Sequence, residues 1–143
     1  MTPTYDVNNI FAKILRGAAP CVKVYEDDVS LAFLDVMPRA DGHTLVIPKV
    51  AARNLFDIAP EDLARFMPAV QTVARAVKAG MAAEGLTLQL FNEVAGGQQV
   101  FHLHFHVLPR WTGVPLKPPG GPFQNAEALR PHAERIIAAF AGV

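Results

Sequence analysis

The chain has one cysteine, Cys21, in 143 residues, so it can form neither an internal disulfide nor a cysteine-based metal cluster of its own. The cytoplasm is the expected compartment. Net charge is also missing: 13 Lys and Arg balance 13 Asp and Glu. With no overall field to hold a nucleic-acid backbone or an anionic membrane, neither is expected as a partner, and any bound phosphate must be held locally. No apolar run approaches the roughly 18 residues of a membrane span, and Met1 to Ile10 lacks the basic start and apolar stretch of an export signal. What remains is a soluble chain of the size of one domain, able to bury about two thirds of its unfolded surface.

Hydrophobic patterning supplies the elements. Asn8 and Asn9 can cap a short helix with apolar Ile10, Phe11, Ile14 and Leu15, which Gly17 can end. Two β-rich runs, Val22 to Tyr25 and Val29 to Val36, flank the acidic turn Glu26-Asp27-Asp28 and read as a hairpin. A third run, His43 to Ile47, follows Asp41-Gly42 and stops at Pro48, which has no N–H for a ladder. Pro60-Glu61-Asp62 suits the first turn of a long helix ending at Gly80 or Gly85, with Pro68 predicting a kink or break near Met67. Leu86 to Phe91 and Val100 to Pro109 are two more predicted strands, joined by a loop from Asn92 to Gly97. Residues from Trp111 to Pro122, rich in Pro and Gly, are expected on the surface, before a last helix within Ala126 to Ala141. The expectation is an α+β fold: one domain over 1–143, core in 8–110, with an antiparallel sheet of about five strands packed by helices.

The chemistry concentrates in His102-Leu103-His104-Phe105-His106. If this is strand, period-two alternation sends the three imidazoles to one face and Leu103, Phe105 and Val107 to the other, where burial anchors it by about 1.5 to 3 kcal/mol per side chain. Three surface histidines without a role, or a metal site using His102 and His104, are the rival readings. The metal reading suffers because His102 and His106 would lie roughly 13 Å apart at about 3.3 Å per residue, and no Asp or Glu occurs between His102 and Trp111.

His102 to Pro109, with its alternate histidines followed by apolar residues, resembles the signature of the histidine-triad (HIT) family. Ile10-Phe11-Ala12-Lys13-Ile14, Val24 to Asp28, Leu31 to Asp35, Gly42 to Lys49 and Gly96-Gly97-Gln98 fall around it in the family's order. The resemblance implies a HIT-like fold, a homodimer, and cleavage of a purine nucleotide from a leaving group at the α-phosphorus. On this resemblance His104 is the nucleophile, His106 a phosphate partner, and His102 a supporting residue whose carbonyl sets the tautomer of His104. Asp35 takes the ribose hydroxyls, and Ile10, Phe11, Ile14, Phe33 and Val36 line the base. Asn92, Gly97, Gln98 and Gln99 stand where phosphate and ribose are contacted, with the amides near Gly97 and Gln98 as expected donors.

Many family members hold zinc with a Cys-x-x-Cys around the Ile-Phe segment and a histidine after the Pro-Lys turn. Asn9, Ala12 and Ala51 stand at those places here, so no structural zinc or other cofactor is expected. Ala51 and Gln99 also replace the histidine and serine that serve the leaving group in the Hint-like branch, which weakens assignment to a phosphoramidase. The substrate is therefore left as a phosphoramidate, a dinucleoside polyphosphate or an adenylated adduct. A nucleotide-binding regulator or scaffold with little catalysis is the alternative from another class.

Overall fold

Asn9 starts the first helix by accepting the amide of Ala12 on its side-chain oxygen, and helix α1 runs Ile10–Leu15 in the computed structural model, which describes residues 3–143. Strands β1 (Lys23–Glu26), β2 (Ser30–Leu34) and β3 (Thr44–Pro48) follow, then helix α2 (Pro60–Gly80), strands β4 (Gly85–Leu90) and β5 (Phe105–Arg110), and helix α3 (Ala126–Ala139). The strands form one antiparallel sheet in the order β1-β2-β3-β5-β4. This is the expected α+β architecture with its C-terminal helix.

The two faces of the sheet divide the labour. Ala32, Leu34, Val46, Leu103, Phe105 and Val107 enter the main core with Phe66, Val70, Val73 and Val77 of α2 and Leu129, Ala133 and Ile136 of α3. These helix positions recur at three- and four-residue intervals, so each helix offers a single apolar stripe. On the other face, Leu31, Phe33, Leu45 and Ile47 form a smaller cluster closed by Phe11 of α1. Because α1 is short, it covers only part of that face. Phe33 pairs with Leu45, and Leu45 pairs with His106, so this face runs from residues buried beside Phe11 to a half-buried histidine.

Two expectations are corrected. Helix α2 is not broken near Met67; it continues through Pro68. Proline removes the bond to the carbonyl of Ala64, but both residues are exposed, so water can take that carbonyl. The second correction concerns β5, which begins at Phe105 rather than Val100. Phe105 is the last partner of both Leu90 of β4 and Val46 of β3; β3 ends two residues later at Pro48. Leu103 instead donates its amide to the carbonyl of Ala52. His102 and His104 therefore precede the ladder, although Leu103 still enters the core.

The segment 111–125 is mostly exposed, as expected, but it is tied down. Lys117 N–H donates to Arg39 O at 2.8 Å, Arg39 Nε returns a bond to Lys117 O at 2.9 Å, and Gln124 N–H donates to Val36 O at 2.7 Å. It thereby braces the loop that leaves β2 at Asp35. No helix among the described residues is long and apolar enough to cross a membrane.

Candidate active site

His104 and His106 stand side by side, their ring centroids 4.9 Å apart. Phe11 meets His104 edge-on at 4.9 Å and Phe33 at 5.4 Å, while Phe91 packs against His106 at 5.2 Å. His102 does not join them on an open surface, which corrects the picture of three imidazoles facing one pocket. It is fully buried, with Nε2 at 2.8 Å from the Pro48 carbonyl and Nδ1 beside the Tyr5 hydroxyl.

Backbone groups fix where every proton in the cluster sits, because an N–H can only donate and a carbonyl can only accept. His104 Nδ1 lies 2.7 Å from the His102 carbonyl and must carry the proton, so its Nε2 keeps a lone pair. His102 Nε2 likewise donates to Pro48 O, and its Nδ1 accepts from Tyr5. The Arg39 amide donates to His43 Nδ1 at 3.0 Å, which puts the His43 proton on Nε2. That proton points at His106 Nδ1, 2.9 Å away, so His106 holds its own proton on Nε2. The outcome is one bare nitrogen on His104 beside one N–H on His106. Neither Nε2 has a protein partner among the described residues, and neither is sealed from solvent.

Burial keeps these rings neutral. It lowers His43 to about 3 and His102 and His106 to about 4, with the Arg39 charge a further cause for His43 and His106; His104 is lowered too, again by burial. Asp35 is raised by burial, its Oδ1 accepting the Met37 amide at 2.8 Å and its Oδ2 standing 3.5 Å from His43 Nε2. With His43 neutral, that last contact is a polar approach and not an ion pair. Donor atoms of Asp35, His43 and His106 also lie within 4.8 Å of one another, close enough to suggest a metal. A metal on His43 Nε2 would leave that ring without any proton, since Nδ1 already accepts from Arg39. The cluster is a hydrogen-bonded chain.

Residues 16–113 match the model of the HIT domain. The chain belongs to the HIT family. Among similar HIT proteins is the adenosine 5'-monophosphoramidase hnt1 of Schizosaccharomyces pombe, 36% identical over 76% of this chain and 86% of that protein. Another is the adenylylsulfatase HINT3 of Arabidopsis thaliana, 38% identical over 71% of this chain but only 51% of the plant protein. A crystal structure of a HIT-like protein from Bartonella henselae superposes with a TM-score of 0.89 at 49% identity, covering 95% of this chain and 99% of that one. HIT relatives thus include hydrolases of nucleotides.

Among the remaining expected site residues, Ile10 and Val36 are exposed, Phe11 and Phe33 buried, and Ile14 half-buried along the α1 side. Gln99 is exposed in the loop before the histidines. Asn92 uses its Oδ1 to accept the Leu55 amide. The expected amide donors need correction: Gly97 N–H donates to Val94 O and Gln98 N–H to Glu93 O, so both are spent inside the loop. The Gln98 side chain is buried as well, accepting from Glu93 N–H and Asn54 and donating to the carbonyls of Arg53 and Val100. It is an internal strut. His43, expected only to open a strand, also belongs to the site. It lies two residues before Leu45, hence on the same face as His106, and period two alone could have flagged it.

Two clefts of about 570 and 310 Å³ lie at the far end of β5 around Trp111, and neither is lined by a histidine. The histidine site is identified instead by its free nitrogen and N–H. Nor do its residues fit the zinc of the Cys-x-x-Cys branch. Asn9 is committed to capping α1, and both ring nitrogens of His102 are engaged with protein.

Proposed function

We propose that this protein hydrolyses a purine nucleotide at its α-phosphorus through a nucleotidyl intermediate on His104. The observation that carries the reading is the His104 Nδ1–H bond to the His102 carbonyl at 2.7 Å, which commits the proton and leaves Nε2 as an unpartnered nucleophile not sealed from solvent. Attack forms a P–N bond as the bond from phosphorus to the leaving group breaks. The ring becomes positively charged, and the same carbonyl stabilises that charge. The departing group takes its proton from solvent as it leaves; water then breaks the P–N bond, its oxygen ending on phosphorus and its proton in solution, which restores neutral His104. His106 Nε2–H donates to a phosphoryl or departing oxygen or nitrogen, in a site where burial strengthens the bond. Asp35 receives the ribose hydroxyls; Ile10, Phe11, Ile14, Phe33 and Val36 take the base; Asn92 and Gln99 serve the phosphate side. No resident metal takes part in this reading.

We further read the protein as a cytoplasmic homodimer. β4 is an open sheet edge with Leu88 exposed, and a twofold copy of the same strand would satisfy it. Sedimentation of the wild type as a dimer and of Leu88→Lys as a monomer checks this; a monomeric wild type refutes it.

The decisive assay incubates the protein with adenosine phosphoramidate and with diadenosine polyphosphates. Turnover that disappears in His104→Ala, while AMP binding persists, is the expected result. Binding without wild-type turnover would leave a nucleotide-binding regulator, and turnover surviving in His104→Ala would remove the nucleophile assignment.

A further inference from the structure

The loop between β4 and β5 is fastened to the segment after β3 by a cluster that takes no part in the steps above. Glu93 is its centre. Its backbone stands at φ 67° and ψ 166°, a region that glycine tolerates and residues with a side chain avoid. Every polar group of Glu93 is nonetheless engaged. Its N–H donates to Gln98 Oε1 at 2.8 Å, and its carbonyl accepts the amides of Gly96 and Gln98 at 3.0 Å. Its carboxylate receives Arg53 through two bonds, Nε to Oε2 at 2.8 Å and Nη2 to Oε1 at 2.9 Å, and Asn54 Nδ2 as well. The Arg53 guanidinium lies 4.1 Å over the ring of Phe101, the residue before His102.

A glycine at 93 would give the same turn without strain. Glutamate gives the turn and also a rigid two-pronged tie to Arg53, which point charges on flexible stems do not reproduce. The tie closes onto Gln98, whose four side-chain bonds leave it no freedom. Gln99 comes next, exposed, with an N–H that has no protein partner among the described residues. Because Glu93 neutralises Arg53, the tie sets geometry without placing a fixed cation against the phosphate.

We propose that Arg53 and Glu93 are positioning residues for the phosphate loop: together they hold its strained turn so that the Gln99 amide, with Gly97 and Gln98 turned inward, faces the nucleotide phosphate. This rests on nucleotide binding at His104 and His106, as read above, but not on turnover.

The test uses wild type, Glu93→Gly, Glu93→Gln and Arg53→Lys. AMP is titrated while the Gln99 amide is followed by NMR, and kcat and KM are measured with adenosine phosphoramidate. In wild type the Gln99 proton is expected to move downfield as AMP binds. In Glu93→Gly, which relieves the backbone, thermal unfolding is expected to stay near that of wild type while the Gln99 response is lost and kcat drops about tenfold, with KM changed much less. Glu93→Gln and Arg53→Lys are expected to lose kcat in the same way, since each breaks the paired bonds. A Gln99 amide indifferent to AMP in wild type, or equally responsive in Glu93→Gly, overturns the inference whatever the turnover. A responsive Gln99 without wild-type turnover refutes the hydrolase reading alone.

Discussion

Acidification from pH 7 to pH 5 is expected to remove a large part of this protein's stability, because three buried rings refuse a proton that the unfolded chain accepts. An unfolded histidine titrates near 6.5 and is almost fully charged at pH 5. In the fold, His43 is held down to about 3, and His102 and His106 to about 4, chiefly by burial. Above pH 6.5 both states are neutral and these rings contribute no pH dependence. Below it the unfolded state binds more protons, so stability falls with pH until the native values are reached. Over the roughly 1.5 units from 6.5 to 5, each ring forgoes about 2 kcal/mol at 1.36 kcal/mol per unit. These three rings bring the loss to about 6 kcal/mol, set against a typical total of about 5 to 15, and His104, also lowered by burial, adds to it in the same direction. Asp35, raised by burial, acts in the opposite direction and offsets part of it near the acid end. Urea unfolding at fixed protein concentration, followed by Trp111 fluorescence at pH 7, 6 and 5, measures the slope. A free energy that changes by less than about 1 kcal/mol across that range, or NMR titration of His106 in the native protein with a midpoint near 6.5, would refute the reasoning.

Three further outcomes follow from single contacts. His43→Phe leaves His106 Nδ1 without a donor and the Arg39 amide without an acceptor, freeing His106 to change tautomer; kcat is expected to fall about a hundredfold, and unchanged turnover would dismiss the proton chain. Gly42→Ala places a Cβ 2.6 Å from Met81 Cγ at a backbone φ of +82° just before His43, so a loss of about 1 to 3 kcal/mol is expected in denaturant titration. Leu103→Ala empties a fully buried position between His102 and His104 at an expected cost of about 2 to 5 kcal/mol; a cost under about 1 would mean that this side chain does not anchor the histidine segment.

Much of this arrangement is legible in the chain. β-rich runs bounded by turn residues give β1 to β4 within a residue or two, Asn9 announces α1, and Pro60-Glu61-Asp62 announces α2, because propensity, turn chemistry and capping are local properties. The triad itself is equally local, since Leu103, Phe105 and Val107 mark the buried side by their spacing. Less local features escaped. The start of β5 depends on where β3 and β4 happen to stop, and the unbroken course of α2 through Pro68 depends on which side of the helix meets water.

The sequence by itself determined the family, the order of the helices and strands and most of their bounds, and the alternation that separates His104 from its anchoring neighbours. The tautomer of His104, set by a carbonyl two residues away, is expected from the resemblance; only the tertiary structure decided which atoms of His43, His102 and His106 carry the protons. The assignments for His102 and His106 come from Pro48 and His43, which meet them from segments distant in the chain, with Arg39 orienting His43 from four residues before it, and the loop after β4 is tied down by Arg53 and Asn54 reaching Glu93. Hydrogen-bond direction requires two groups within about 3 Å, and the pairing of distant segments is set by folding, not by residue order.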